Sequence, residues 1–483
     1  MPTPLDPISR KDLSRGLITE GAVSSTVAPM NSVSESINFH FDTIGGAKLR
    51  KGTTVLGTTL GGDSLGLYEF RDSGSGTNNR LIYVNGTSSF YLSGGSWIAH
   101  RTGLTAASKA RFTTFIDYVF MVNGADATVV WDGDTGTSFL TTGNAASAPI
   151  GKYIENFRSR VWIAGNSTYP DRLYYSSIPS SVTTPIITWD TSVTTGQWID
   201  ISPSDGENIT GLHRTKTALL VFKNNHIYRV YSISQADPDP KIDVGTYSQE
   251  SIVETKIGVF FHHPTGFYYY SEGGIQEISQ PIIDIVEAIT LTNYSKVCGW
   301  TDGNHVYWSI GDVTVNGISY TNLVVRYTIS SQVWTHYSYP SQFLVSSNYN
   351  DGSSLFQVAG DDAGAVLKIN TGLTDNGTQI SYSLVHAWDN LDGLDATRKN
   401  LSKAMFFHSG GSGSSLSYQV NNDVTNDWTK SIGQLKTQDT GFLNMNTRGR
   451  SVRFRISGVS KGEPFNYEGY EILEGSRELV ING

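Results

Sequence analysis

The sequence predicts an all-β protein: a β-propeller of six or seven blades, a C-terminal β-sandwich and one short helix. Three observations lead there. A unit of short aromatic strands and glycine turns returns at near-constant spacing, the strands lengthen after Asp375-Asn376-Gly377, and one stretch alone has helical periodicity.

The first 32 residues carry no clear periodicity and read as an extended arm. Residues 33–376 are assigned to the propeller. Its repeating unit starts near Gly66, Ala110, Lys152, Asn208, Ser251, Val297 and Phe343, with gaps of 44, 42, 56, 43, 46 and 46 residues. Four-stranded blades typically recur at about 40–50 residues. The long third gap holds an insertion rich in Ser, Thr and Pro, from Ser177 to Gly196. In the second unit Arg111–Phe115, Tyr118–Val122 and Ala127–Trp131 alternate apolar and polar residues. In the fifth, Lys256–Phe261, Phe267–Tyr270 and Gly274–Ile278 follow at hairpin distance. Asn85-Gly86, Asn123-Gly124, Asp302-Gly303, Asn316-Gly317 and Asp351-Gly352 accept the positive φ angles that tight primed turns require. A series of unrelated sandwiches would also show short strands, but the repeated order at constant spacing favours blades around an axis. The last unit is one strand short, and Ser36–Leu49 or its neighbour is expected to supply that strand and close the ring.

Ile282, Ile285, Val286 and Ile289 follow Pro281 at i, i+3, i+4, i+7 spacing, which predicts a short amphipathic helix between the fifth and sixth units. Residues 377–483 are assigned to the sandwich. Gln379–Val385, Lys403–Ser409, Ser415–Val420 and Arg450–Gly458 read as its strands, with a final one near Tyr467–Leu473.

Composition narrows the function. The formal net charge is −9 and charged residues make up 16%, so the whole molecule is not a phosphate-binding body. The single cysteine, Cys298, excludes a disulfide scaffold. No apolar run of signal-peptide or membrane-span length is visible, which predicts a protein made in the cytoplasm that stays soluble and inserts in no membrane. Catalytic constellations are weak. His262-His263 beside Pro264 reads as a surface hairpin tip, and Asp132-Gly133-Asp134-Thr135-Gly136 as a turn that lacks the later ligands of a calcium loop. Asp361-Asp362 reads as a polar bend. No catalytic residue, metal or cofactor is predicted. Basic residues concentrate at Arg448, Arg450, Arg453 and Arg455, either a solvated strand face or a contact for another subunit or a polyanion; alternation puts Arg453 and Arg455 on one face, opposite Val452, Phe454 and Ile456.

The order of these elements resembles the nozzle or tail-hub proteins of short-tailed bacteriophages, also known as packaged-DNA stabilisation proteins. Ser36–Gly57 is similar to that family's opening, with Asn38, Gly46, Arg50 and Gly52 matching and Lys51 in place of the usual proline. Leu219–Tyr231, Phe267–Val286, Val324–Tyr337 and the closing Ser451–Leu473 resemble later segments. The resemblance implies a structural virion protein, not an enzyme, located in the phage tail. It would form a homohexameric ring around the tail axis, connected to portal-adaptor ring proteins and to tail fibre, spike or needle proteins. That ring would gate or retain packaged DNA, which passes without sequence-specific binding. The alternative reading is a carbohydrate-binding or glycosidase-type propeller, for which acidic residues should converge on the central channel.

Overall fold

The computed structural model describes residues 3–479 except 20–28, 30, 44, 74–77, 181–185, 234, 238–241, 394–396, 422–429 and 436–441. Among the described residues the chain is all-β apart from short helical turns, and seven repeating units follow one another around a closed ring. Six are separate radial sheets; the remaining one, the sixth in chain order, is one end of a ten-stranded sheet. Their first strands begin at Ser64, Arg111, Tyr153, Ile209, Val253, Cys298 and Phe343, within two residues of each start expected from the sequence. These first strands line the axis. Neighbouring ones pack together around the circle, the 3-10 turn Gln249–Ser251 stands between blades four and five, and Phe343–Asn350 returns to Ser64–Phe70. Close approach at the axis demands small residues. A Cβ on Gly66 would lie 2.8 Å from the Ala110 carbonyl oxygen, and one on Gly299 would lie 2.6 Å from Val253.

Ring closure uses the neighbour of the expected segment. Thr53–Val55 pairs antiparallel with Val366–Ile369 as the fourth strand of the last blade. An N-terminal strand thus completes a blade built from residues 343–369. Ser36–Leu49 itself goes elsewhere, which corrects the assignment of residues 33–52 to the propeller. Ser32–Ile37 bridges Val333–Ser338 of blade six and Ser381–His386 of the sandwich. Phe39–Thr43 and Gly46–Leu49 join the other sandwich sheet beside Asn466–Leu479. The physical reason is burial: Phe39, Phe41 and Ala47 belong to one apolar core with Phe454, Phe465 and Tyr470. The arm is partly stranded as well, since Thr3–Pro4 and Ile8–Arg10 pair with Asn466–Leu479.

The expected helix is present as a 3-10 turn, Gln280–Ile282, running into Ile283–Glu287, with a second helical turn at Leu291–Tyr294. Ile282, Ile285, Val286 and Ile289 are all buried, as their spacing requires. Among the described residues no helix is long and apolar enough to cross a membrane.

Two local readings are corrected. His262 and His263 end the strand Val259–His263 and are buried; His262 lies against Phe267 and Tyr294. They are core residues, and Pro264 and Thr265 form the tip. The insertion Ser177–Gly196 has no strand among its described residues, yet Ile187 and Trp189 are buried between blades two and three. The Trp189 indole donates to the Asn144 carbonyl at 3.0 Å.

Candidate functional site

The first strands of blades one to four, six and seven and the Gln249–Ser251 turn are joined from blade to blade by side-chain and backbone hydrogen bonds. Tyr68 and Thr114 join blades one and two through their hydroxyls at 2.8 Å. The Asn156 amide donates to the Thr114 carbonyl at 2.6 Å, and Arg214 donates to Asn156. Leu212 N–H donates to Gln249 Oε1 at 2.6 Å, and the Trp308 indole reaches the Ser251 carbonyl at 3.0 Å. Ser346 donates to the Gly299 carbonyl at 2.7 Å, and Glu69 N–H to the Ser347 hydroxyl at 3.2 Å, completing the circle. Each bond contributes about 1 kcal/mol net, so the belt locks the ring. It also narrows the axis to a cavity of about 210 Å³ lined by Tyr68, Arg111, Glu155, Gln249, Glu250 and Ser346 among others. A wider mouth of about 400 Å³ shares Arg111, Gln249 and Glu250 with it.

Three carboxylates meet these spaces or adjoin them. Burial opposes ionisation of Glu250, but the charges of Arg111 and Lys109 and the Arg111 hydrogen bond hold it down at about 2. Arg111 bonds Oε1 at 2.8 Å and Oε2 at 3.2 Å; Lys109 and Ser248 also reach Oε2, at 3.3 and 3.2 Å. Glu155 is the opposite case. Burial pushes it up to about 7, only partly offset by the Asn156 amide and by Arg214, whose Nε stays 3.9 Å away. His213 lies 3.8 Å from Glu254, but burial and Arg214 depress the imidazole to about 4, so it is neutral at pH 7 and forms no ion pair.

A carboxyl raised in the folded state favours folding while protonated. Its contribution is full below the unfolded value near 4.3 and is lost as pH rises through about 7. Glu155→Gln is therefore expected to raise the melting temperature over the parent more at pH 8 than at pH 5. Calorimetry at both values checks it, and an equal difference at the two would refute it.

Divided carboxyls are the arrangement that acid–base pairs use. Here the ionised member is spent, because both Glu250 oxygens already accept hydrogen bonds from Arg111. The axis therefore offers a charged, structured plug. The larger cavity, about 480 Å³ at the outer edge of blade two, is lined by Val130, Trp131, Leu140 and Ile186, and its one carboxylate, Asp132, is engaged in a turn with Asp134 N–H and Thr137.

The arginines singled out from the sequence lie in the sandwich sheets and not on the strands that line the axis. Arg448 is the penultimate residue of Phe442–Gly449 in one sandwich sheet and bonds Glu478 at 2.6 Å. Arg453 and Arg455 lie on Ser451–Val459 in the other sheet, alternating with buried Val452, Phe454 and Ile456 as expected. Arg453 donates to Gln419 at 2.7 Å and covers the Trp388 ring; Arg455 approaches Glu35 at 3.7 Å. Arg450 sits at the bend between the sheets, its carbonyl accepting from Lys399 at 2.9 Å. The cluster is thus split between two sheets, with intramolecular partners. Asp361 accepts from Ser341 and from the Ala363 and Ala365 amides, so it shapes a bend. Among the described residues no group of three or more His, Cys, Asp or Glu could hold a metal ion. The axial set was missed because Arg111, Glu155 and Glu250 share no sequence motif; ring closure alone brings them together.

No family model matches the chain, and no curated protein matches it. Among solved structures it is similar to the computationally designed Ika8 protein, at 13% identity and a TM-score of 0.39 over 66% of this chain and 100% of that one. It is also similar to the extracellular domain of BT4673 from B. thetaiotaomicron, at 11% identity and 0.43 over 86% of this chain and 58% of that one. A third is BBS1N, solved in complex with ARL6DN, at 8% identity and 0.41 over 67% and 97%. These likenesses are too distant to carry any argument about function.

Proposed function

We propose that this chain is a structural subunit of a phage virion, a tail nozzle or hub protein that assembles as a homohexameric ring below the portal-adaptor and retains or gates packaged DNA. The observation that carries the reading is the junction built by the residues on which the resemblance rests. Arg50 bonds Asn38, Asp375 and the Ser338 carbonyl, tying the N-terminal strands to blade six and the ring-closing segment. Gly52 passes so close to Thr374 that a Cβ would lie 1.9 Å from its carbonyl oxygen. Blade six also runs on into the sandwich as one ten-stranded sheet. A sheet shared by both domains suits a subunit of a ring held under the pressure of packaged DNA. The plugged propeller axis is not the DNA path in this reading; the path runs between subunits around the ring axis. A chain with only 16% charged residues suits broad, stable interfaces.

Native mass measurement and negative-stain imaging, alone and with portal-adaptor rings, test this. A six-fold ring in either condition supports it, and a persistent monomer in both removes it.

The two carboxyls that line the axial cavity, Glu155 and Glu250, favour a second reading, a propeller that acts on or binds glycans. Turnover of chromogenic glycosides that Glu155→Gln abolishes, or retention on a glycan array, would move the assignment there; silence in both assays leaves that reading without support.

A further inference from the structure

We propose that the axial mouth of the propeller is a binding site for a small polyanion, a molecule carrying two or more carboxylate or phosphate groups. The mouth is an open cavity of about 400 Å³, within the range of about 300–1,000 Å³ that small-molecule sites occupy. Four cations line it, Lys109, Arg111, Lys152 and Lys296, against the single carboxylate of Glu250. Three positive charges are therefore in excess, in a chain whose net charge is −9. That local reversal of sign is what an anion site needs, and the low-dielectric walls of a cleft strengthen it.

The charges divide into a paired set and a spare set. Arg111 and Lys109 are committed to Glu250. Lys152 and Lys296 form no ion pair among the described residues, and both are exposed. They come from different parts of the ring, one at the start of blade three and the other just before blade six, and line the same cavity. Lys152 also passes close to two glycines. Its stem crosses Gly124, where a Cβ would lie 2.4 Å from its Cγ, and Gly165, where one would lie 3.0 Å from its Cβ. Glycine at both positions leaves that passage open to the stem, and Lys152 lines the mouth. The Glu250 ion pairs then act as the floor: they keep Arg111 and Lys109 from collapsing outward and prevent neutralisation of the rim by Glu250. Ammonium groups bind carboxylate and phosphate oxygens alike, as charge-assisted donors.

The test is isothermal titration of the full chain with citrate and, separately, with pyrophosphate, at physiological salt so that loose surface attraction is screened. Saturable one-to-one binding of either probe is expected, and the tighter of the two identifies carboxylate or phosphate as the preferred chemistry. The double variant K152M/K296M should weaken it at least about tenfold, which is about 1.4 kcal/mol. The control K216M/K256M removes the same charge from exposed positions outside the mouth and should bind within about twofold of the parent. Melting temperatures of the unliganded variants verify that both fold. Absence of saturable binding by both probes overturns the proposal, and so does equal weakening by the two double variants.

Discussion

Arg50→Met should be among the most destabilising single substitutions in this protein, at about 3–5 kcal/mol, the usual cost of orphaning one partner of a buried ion pair. The guanidinium is 1% exposed and has all five N–H groups placed. Nε donates to Asn38 Oδ1 at 2.7 Å; Nη1 to the Lys51 carbonyl at 3.0 Å and Asp375 Oδ1 at 2.8 Å; Nη2 to the Ser338 carbonyl at 2.7 Å and Asp375 Oδ2 at 2.6 Å. Its plane also lies 4.0 Å from the Tyr339 ring centroid. Methionine fills the stem and supplies none of these donors. Asp375, two backbone carbonyls and Asn38 would be left buried with fewer partners. The same group joins propeller to sandwich, so the loss should also change how unfolding proceeds. Asn38, in a left-handed conformation with φ 65°, donates to the Ser381 carbonyl and accepts from Ser338 N–H. With Arg50 gone, the two domains should come apart at different denaturant concentrations. Urea unfolding read by tryptophan fluorescence and by far-UV circular dichroism distinguishes the outcomes. The junction is not what holds the domains together if both probes still coincide and the midpoint moves by less than the equivalent of about 0.5 kcal/mol.

Much of the architecture was legible because each blade repeats a local rule. Period-two alternation and a turn every few residues need no long-range information, so the first strand of every blade could be placed. The misplaced stretch, Ser36–Leu49, alternates like any half-buried strand. Nothing local says whether Phe39 and Phe41 face a blade or a sandwich; that depends on a partner more than 400 residues away, at Asn466–Leu479. Turn chemistry was half legible. Asn316-Gly317 makes the expected primed turn, with φ of 50° and 78°, but Ile116-Asp117 and Arg158-Ser159 adopt positive φ at both positions without glycine. There the hairpin register, imposed by Thr114 pairing with Val119 and Asn156 with Val161, overrides local preference. The axial site was illegible for the reason the ring exists. Residues 111, 155 and 250 line one cavity only when the blades are in place, and there burial raises Glu155 while Arg111 and Lys109 hold Glu250 down.

Lys223→Met is expected to cost about 3 kcal/mol, near the lower end for a broken buried pair because its two acidic partners keep some contact with water. Lys223 is fully buried at the end of the strand Leu219–Lys223. Its three N–H groups go to Asp171 Oδ1 at 2.9 Å, Asp205 Oδ2 at 2.7 Å and the Ser202 carbonyl at 3.1 Å. It thereby pins the loop between blades three and four against the core. Methionine preserves volume and removes the charge, which leaves two carboxylates facing a neutral thioether. The pH dependence follows from Asp205. Burial works against its ionisation, yet the Lys223 hydrogen bond, the Glu207 amide and the Lys223 charge together hold its carboxyl below the usual value. A depressed carboxyl stabilises the fold above the unfolded value, near 3.9, and that contribution fades as pH falls through the folded one. The gap between parent and variant should therefore be full at pH 7 and shrink below about pH 4, where protonation relieves the unpaired acids. Adding Asp171→Asn and Asp205→Asn to the variant should recover more than half of the loss at pH 7, because the orphaned charges are the larger part of the cost. A gap that stays constant from pH 7 to pH 3.5, or a triple variant no more stable than Lys223→Met, would mean that the lysine stem's packing sets the stability of this loop and that its charge does not.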